Sequence, residues 1–406
     1  MLKVEILTKD EELAAVCQMY WQVDEEWRFV HKVGDLAKLT NTESPRTRLP
    51  QTIREACYAY IEGWNCTRCD TPHKFFVRSD FPKHSTDIGK PTLCSTCREQ
   101  DRAEEAARER KQRESKERER QEAKSKIREK IRETYDLSKR RAISHVFSLS
   151  LTDAIYLISI MRGSYEDLTK IKPIDLFEQP LAATSDLKRE IILHAHDNGL
   201  IFVHPDSETE AFVDETLERF YIYRVQYAPM VTEKSLVDPK SLVTELHQYV
   251  SLPWTEEECE EALVIWKKIA LSECMEYLLF VMNEHHFEFT PGEKTTQYLE
   301  FALQHFSTSQ VYNIIWRAVK DAAAFYMRGD VSKKHAANVA VSSIQRSAER
   351  AIAEKWDLKP YRRNYKTTQS IVSEVFYNFA SMLGDAGFET APNIESIHAK
   401  KLEQSE

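Results

Sequence analysis

Apolar residues recur at intervals of three and four along most of this 406-residue chain. That spacing places them on one face of an α-helix, and it is clearest from Trp254 onward. The chain contains only 9 glycines and 14 prolines, whereas strand-rich folds need such turn residues often. Together with the chain length, these patterns predict a mainly α-helical protein of several domains.

Polar residues with short side chains mark where several helices begin. Ser150 precedes the apolar segment LTDAIYLISIMR, and Thr255 precedes a segment with glutamates in its first turn. Polar residues from Ser307 to Gln310 separate two further periodic segments, and another helix is predicted to start near Ser332. These capping residues predict individual helix boundaries in addition to the helical class.

The C-terminal half is predicted to be a helical domain over residues 226–390. Its last helix is expected over residues 368–383. The final residues, 391–406, are predicted to be a loose tail.

Residues 1–62 are predicted to form a helical N-terminal domain. A short helix is expected over Val33 to Leu39 and a second one from about Pro50, with a polar turn between them. This arrangement resembles a loosened helix-turn-helix, with a turn of about ten residues where three or four are usual. The resemblance implies DNA contact through arginines near the turn, whereas the alternative is a helical hairpin that packs its own core. These arginines are Arg46, Arg48 and Arg54.

Residues 63–100 differ in composition from the flanking helices, because they are rich in turn residues and contain two Cys-x-x-Cys pairs. Tetrahedral Zn²⁺ takes four sulfur or nitrogen ligands, and each pair can supply two sulfurs from one side. The segment resembles a zinc ribbon, which implies a structural zinc ion held by Cys66, Cys69, Cys94 and Cys97. A redox dithiol pair and unpaired thiols are the alternatives, and His73 or His84 can replace a cysteine. Many ribbons have a glycine after each pair, but this chain has Asp70 and Arg98.

Residues 101–137 form a charge run with no apolar residue between Arg108 and Glu122. Several glutamates precede a lysine or arginine by four residues, which supports an exposed helix. The heptad seam of a coiled coil is missing. We predict a single solvated helix that acts as a linker between domains, and the alternative is an arm that lies along nucleic-acid phosphates.

Residues 138–225 contain a helix that ends at Asn198 and Gly199, followed by two short apolar segments around the turn HPDSE. A helix followed by a β-hairpin resembles the second half of a winged-helix domain. On this pattern the segment is predicted to be a winged-helix-like domain. Acidic residues on the helix make it a poor phosphate binder, and winged helices also dock proteins.

The charges are distributed unevenly along the chain, whose formal net charge is −9. Residues 142–330 carry about −15 and residues 331–370 about +6. Basic residues interleaved with aromatic ones suit a nucleic-acid surface, while the alternative is a helix face that pairs with the acidic middle. The predicted nucleic-acid-binding residues are Lys333, Lys334, Arg346, Arg350, Lys359, Arg362, Arg363 and Lys366.

The sequence offers no convincing catalytic constellation. Neither HAHD (His194 to Asp197) nor EHHFE (Glu284 to Glu288) has the HExxH spacing that places two histidines on one helix face. There is no glycine-rich phosphate loop and no nucleophile elbow. Charges near the N-terminus exclude a signal-peptide core, and the apolar stretches are too short for a membrane span. A cytoplasmic location is expected.

These features predict a zinc-containing, non-enzymatic regulatory or accessory protein that binds nucleic acid, most readily DNA. The C-terminal helical domain is expected to provide an interface for a protein partner or for self-association. One alternative is a protein-interaction subunit whose zinc is purely structural. A second is a nuclease whose carboxylates come together only in the fold.

Overall fold

The computed structural model describes residues 1–39, 48–164, 167–329 and 331–403. This part of the chain is mainly helical, as predicted, with fourteen α-helices and five strands. The chain divides into two compact units, an N-terminal unit (Met1–Gln121) and a C-terminal unit (Glu122–Glu406). Among the described residues, no helix is both long and apolar enough to cross a membrane.

The N-terminal unit combines a three-stranded antiparallel sheet with four helices. The sheet has the order β1-β2-β3, and Leu2 lies opposite Ile61 in its first pair of strands. Trp21 and Ile53 are among the buried residues of this unit's own hydrophobic core. In chain order the elements are β1 (Leu2–Ile6), α1 (Glu11–Trp21), α2 (Val33–Leu39), α3 (Arg48–Ala56), β2 (Cys57–Asn65), β3 (Pro72–Phe75) and α4 (Ser95–Thr134), whose last residues, from Glu122 on, belong to the C-terminal unit.

The prediction that residues 1–62 are helical is wrong at both ends of this segment. Leu2–Ile6 and Cys57–Asn65 are strands that pair with each other. In β2 the buried residues Cys57, Ala59 and Ile61 alternate with more exposed ones, which is the two-residue period of a strand. The predicted domain boundary between residues 62 and 63 therefore falls inside β2.

The two helices of the predicted helix-turn-helix are present as α2 and α3. Arg46 and the rest of the turn, residues 40–47, lie outside the described residues. Arg48 begins α3, and Arg54 is exposed in its last turn. Leu49 and Ile53 of the same helix are buried in the core of the N-terminal unit. DNA contact through this segment stays a prediction.

The predicted charged linker is a helix of 40 residues, α4, which is about 60 Å long at 1.5 Å per residue. Its residues 108–123 are exposed throughout. Within the C-terminal unit, three basic residues one turn apart along α4 pair with an acidic loop. The pairs are Lys124–Glu210 (2.8 Å), Arg128–Glu208 (2.9 Å) and Arg132–Asp206 (3.5 Å).

In the C-terminal unit, a large hydrophobic core lies among packed helices. In chain order the elements are α5 (Leu151–Arg162), α6 (Ser185–Asp197), β4 (Ile201–Val203), β5 (Tyr227–Pro229), α7 (Lys240–Ser251), α8 (Glu256–Glu284), α9 (Glu293–Leu303), α10 (Thr308–Met327), α11 (Lys333–Ala353), α12 (Ile371–Glu374), α13 (Ala386–Glu389) and α14 (Ile394–Glu403). The fully buried Trp266 of α8 donates a hydrogen bond to the carbonyl of Gly387, so α8 and α13 are tied together in this core.

The caps predicted at Ser150 and Thr255 are confirmed, and the helix starts predicted near Ser307 and Ser332 are present. Ser150, Thr255, Ser307 and Ser332 each accept a hydrogen bond from a backbone N–H in the first turn of α5, α8, α10 and α11. Such a bond satisfies one of the amide groups that a helix end leaves unpaired. The first three also form capping boxes, in which the third helical residue bonds back to the cap.

The predicted β-hairpin of the winged-helix-like segment does not form. The helix that precedes it is present as α6, and β4 follows at once. However, β4 pairs with β5, whose Ala228 lies opposite Phe202, and not with the segment after the HPDSE turn. The predicted boundary between residues 225 and 226 therefore separates β4 from the strand that it pairs with.

Two predictions for the C-terminal end are also wrong. Residues 368–383 do not form one regular helix, because α12 passes into a π-helical segment, Val375–Ala380. The predicted loose tail contains α14, which packs on α8. Lys401 is buried there and donates a hydrogen bond to the carbonyl of Val250 at 3.0 Å.

Candidate functional site

The structure brings the four predicted cysteines together. Their sulfur atoms all lie within 4.8 Å of one another, and the Sγ atoms of Cys69 and Cys94 are 3.7 Å apart. Metal–sulfur bonds of about 2.3 Å in a tetrahedron place the sulfurs about 3.8 Å apart. The cluster therefore has the dimensions of a four-sulfur metal site, and it is compatible with zinc.

Each pair of cysteines is presented by a different kind of local structure. Cys66 directly follows β2, and a tight turn closes as the Asp70 N–H donates to the Cys66 carbonyl at 3.0 Å. Cys94 directly precedes α4, and Cys97 lies in its first turn. A bound metal ion would therefore join the end of β2 to the beginning of the 40-residue helix.

Asp70 shows how this chain does without the glycine that many zinc ribbons have after the first pair. Its φ angle is +56°, which lies in the left-handed region that glycine adopts most easily. Aspartate tolerates that region better than most residues, and its Oδ1 atom here accepts a hydrogen bond from Asn65. Arg98, at the corresponding position of the second pair, lies within α4 and needs no such conformation.

Substitution of Asp70 tests this conformational requirement. We expect Asp70→Gly to change the free energy of unfolding by less than about 1 kcal/mol, whereas Asp70→Val should destabilise the protein by about 1–2 kcal/mol. Glycine loses the bond to Asn65 but relieves the backbone, while valine loses the bond and crowds the turn. Thermal unfolding would measure the change in stability of each variant, and competition with a chromophoric chelator would measure its metal affinity. Equal stability of the two variants would contradict the conclusion that the positive φ angle at residue 70 restricts which side chains fit there.

Backbone amides point at the sulfur atoms, as they do when a sulfur is to carry negative charge. The Cys66 sulfur accepts hydrogen bonds from the N–H groups of Cys94 (3.2 Å) and Arg68 (3.4 Å). Hydrogen bonds from the backbone N–H of Cys69, and then of Cys94, lower the pKa of Cys66 to about 5. Burial, followed by the neighbouring thiols, raises the pKa of Cys97 to about 12. Metal binding to such a set would displace thiol protons.

The histidines that could replace a cysteine lie outside the cluster. His73 is buried beside Trp64, and its Nε2 atom lies 3.1 Å from the Thr92 hydroxyl. His84 is not part of the cluster. Within the described ranges, the four cysteines are the only group of three or more metal-ligating side chains. His194 instead pairs with Asp153 at 2.7 Å, as expected of a polar helix end.

With four protein ligands the cluster has the composition of a structural metal site. Catalytic zinc sites usually have three protein ligands and leave the fourth position to water or substrate. Cys66 and Cys97 are also buried, at 2% and 5% exposure, so solvent reaches these two ligands poorly. The arrangement suits a metal that stabilises the fold.

The eight predicted nucleic-acid-binding residues do not form one cluster. Lys333 and Lys334 begin α11, which is 21 residues and therefore about 30 Å long. Arg346 and Arg350 are exposed further along this helix. Lys359, Arg362, Arg363 and Lys366 follow it in the segment before α12.

Two of the eight residues pair with the acidic middle of the chain. The Arg363 guanidinium donates to the Glu273 carboxylate at 2.6 Å, and this carboxylate is only 4% exposed. Lys366 lies 3.3 Å from Glu284 at the surface. Arg363 therefore compensates a buried charge, and this interaction leaves it a poor candidate for binding a phosphate.

A neighbouring surface combines cations and aromatic rings more closely than the predicted set does. We call it the tryptophan patch and define it as Trp316, Arg317, Lys320, Trp356 and Tyr361. The Lys320 Nζ atom lies 4.8 Å from the centre of the Trp316 ring, and the Arg317 Cζ atom lies 5.8 Å from the Trp356 ring. The Trp316 and Tyr361 rings are 6.1 Å apart.

Part of this patch has a signal in the sequence. In VYNIIWRAVKDAAAFYM, Trp316 lies on the polar face of α10 beside Arg317 and Lys320, and all three are exposed. An exposed tryptophan among cations is unusual for a residue that normally stabilises a core. Its proximity to Trp356 and Tyr361 depends on the tertiary fold.

Comparisons with known proteins returned no match. No family model matches the chain, and no similar protein was found among curated proteins or solved structures. The features of this chain that bear on function are therefore the cysteine cluster, the tryptophan patch and the charges around them.

Proposed function

We propose that this protein is a non-enzymatic accessory protein that binds nucleic acid through the tryptophan patch. The observation that carries the proposal is the exposed Trp316 ring with Lys320 over it and Arg317 beside it. Rings stack on bases, and cations contact phosphates, so the two together match a nucleic-acid strand. The exposed ring favours unpaired bases, which suggests that single-stranded DNA binds more tightly than duplex.

The charge distribution supports this location. The chain as a whole is acidic, so non-specific attraction to phosphates is weak, and a local basic surface has to provide it. Lys355, Lys359 and Arg362 follow α11 close to Trp356 and Tyr361 in sequence, and all three are exposed. These cations supplement the two on α10.

The second part of the proposal is that the cysteine cluster holds one structural zinc ion. Four sulfur ligands at tetrahedral spacing favour zinc among the common metals of cells. In this role zinc fixes the first turn of α4 against the end of β2.

The proposal is tested by binding of the purified protein to labelled single- and double-stranded DNA across a salt series. We expect submicromolar binding at low salt, tighter for the single strand, that weakens steeply as salt is added. Absence of binding at low salt, with one zinc per chain confirmed, would contradict the proposal. It would favour the alternative of a protein-interaction subunit.

Substitutions locate the binding surface. We expect Trp316→Ala to weaken single-strand binding by about 1–3 kcal/mol, which is roughly 5- to 150-fold. Arg317→Gln combined with Lys320→Gln should reduce the slope of log affinity against log salt by about 1 to 2, because up to two phosphate contacts are lost.

A matched control separates the patch from general charge effects. Lys333→Gln combined with Lys334→Gln removes the same charge at the opposite end of α11 from Trp356. We expect this control to bind nearly as the unmodified protein does. Equal losses in both double variants would show diffuse electrostatic attraction and would overturn the assignment to the patch.

A further inference from the structure

The C-terminal unit contains a polar cleft whose lining differs from the tryptophan patch, because carboxyl groups face it. Its lining includes Glu273 and Glu276 of α8, Tyr312 of α10, and Arg363 and Asn364 of the segment before α12. The cleft encloses space for about one water-sized group at its deepest point. Threonine and serine side chains also line it, among them the buried Ser370 and the exposed Thr368.

Glu273 has one satisfied and one unsatisfied oxygen. Its Oε1 atom accepts hydrogen bonds from Arg363 (2.6 Å) and from the Ser373 hydroxyl (2.7 Å). Its Oε2 atom is buried and has no hydrogen-bond partner among the described residues. The residue is only 3% exposed. A buried carboxylate oxygen without a donor is costly, so this atom calls for a donor from outside the chain.

Asn364 has a buried hydrogen-bond donor that lacks an acceptor within the described part of the chain. Its Oδ1 atom accepts the backbone N–H of Lys366 at 3.1 Å, which identifies the other terminal atom as the NH₂ group. That Nδ2 atom is also buried without an acceptor among the residues described. The same cleft therefore lacks both a donor for Glu273 and an acceptor for Asn364.

Glu276 adds a second carboxyl group to the lining. It lies one turn after Glu273 on α8, and burial, followed by the Glu273 charge, raises its pKa to about 7. With both carboxylates ionised and Arg363 as the one cation among the lining residues, the cleft carries a net charge of −1. A cation that enters it would relieve the repulsion between the two carboxylates.

We propose that this cleft binds a small primary ammonium compound with a neighbouring hydroxyl or carboxylate oxygen, such as an amino alcohol or an amino acid. The ammonium group donates to Glu273 Oε2 and to Glu276, and the neighbouring oxygen accepts from Asn364. The enclosed space fits one ammonium group, and the rest of the molecule extends toward the exposed Thr368. This inference does not depend on nucleic-acid binding.

The same geometry argues against a divalent metal ion at this site. Arg363 already occupies one oxygen of Glu273, and its positive charge repels a divalent ion about twice as strongly as a singly charged ammonium group at the same distance. Two carboxylates are also fewer than a calcium site usually employs. A directional N–H donor matches the free Oε2 atom, and a ligand oxygen beside it matches the unpaired NH₂ group of Asn364.

The test measures thermal shift and calorimetric binding of ethanolamine to the full chain at pH 8. Three comparison probes separate the chemistries: tetramethylammonium has the charge without N–H donors, ethylene glycol has the hydroxyls without charge, and magnesium chloride supplies a divalent cation. We expect ethanolamine alone to bind. Glu276→Gln should weaken its binding at least tenfold, while Glu260→Gln, an exposed position on the same helix, should leave binding unchanged.

Each other outcome overturns the proposal. Equal effects of tetramethylammonium would show general ionic screening, and a response to magnesium alone would indicate a metal site. Binding that survives Glu276→Gln would place the ligand elsewhere. If no probe binds, the cleft holds only water between Glu273 and Asn364. The DNA-binding assay of the unmodified protein is unaffected by any of these results.

Discussion

Replacing Cys66 with serine is expected to abolish metal binding and to release the segment between the two cysteine pairs. Serine is a poor zinc ligand, and a three-sulfur site loses most of its affinity. In small zinc domains metal binding contributes roughly 10–16 kcal/mol to folding. The N-terminal unit keeps its own core around Trp21, so we expect a partial loss of several kcal/mol. Metal analysis and limited proteolysis of residues 66–97 would measure the two effects.

The matched control is Cys274→Ala, which removes a buried cysteine of α8 that lies outside the cluster. It is expected to retain one metal ion per chain and to leave the proteolysis of residues 66–97 unchanged. Removal of the metal from the unmodified protein with a chelator should reproduce the Cys66→Ser pattern. If Cys66→Ser still binds one metal ion and resists protease as before, the four-cysteine site is wrong.

Replacing Arg363 with methionine is expected to destabilise the C-terminal unit by about 3–5 kcal/mol. The substitution leaves the Glu273 carboxylate buried without its partner, and an uncompensated buried charge costs that much. Methionine preserves much of the side-chain volume, including the contact with the Phe388 ring that Arg363 now makes at 4.3 Å. Chemical denaturation, followed by tryptophan fluorescence, would measure the change.

Arg362 is the control, because it is the adjacent residue and it is exposed. Arg362→Gln should change the free energy of unfolding by less than about 0.5 kcal/mol. Glu273→Gln in the Arg363→Met background should restore part of the lost stability, since the buried charge is then gone. Similar effects of the Arg362 and Arg363 substitutions would show that the buried ion pair has no special role.

Several helices of the C-terminal unit were predictable from local sequence, and their capping residues explain why. Ser150, Thr255 and Ser307 each act within a single turn, so the interaction that defines the helix start is encoded in four consecutive residues. The cysteine pairs were predictable for a similar reason. Their spacing reflects the metal geometry itself, and each pair is local in the chain.

Strand pairing was not predictable in the same way. No glycine or proline stands at the junction between α3 and the segment CYAYIEGWN. Only the two-residue burial period of this segment distinguishes it from a continuation of the helix. Its partner β1 lies more than fifty residues earlier. Likewise, β4 pairs with β5 about twenty-five residues later, although a nearer apolar segment was available. Both pairings are decided by tertiary packing.

The polar cleft and the buried ion pair were beyond sequence reasoning for a further reason. Glu273 belongs to a chain with 65 acidic residues, and nothing local marks it as buried. Arg363 lies 90 residues away, beside an arginine that remains exposed. The fold assigns different roles to two neighbouring arginines, so a prediction from charge and composition treats them alike.

The position of α14 has a consequence for the order of folding during synthesis. The contacts of the N-terminal unit lie within the first 121 residues, so it can fold while the ribosome is still translating. The C-terminal unit needs Lys401 to reach the carbonyl of Val250, 151 residues earlier. At about 5–20 residues per second, its core stays incomplete for roughly 15–55 s after residue 121 is made. During that time the apolar helix faces that later contact α14 lack this part of their covering.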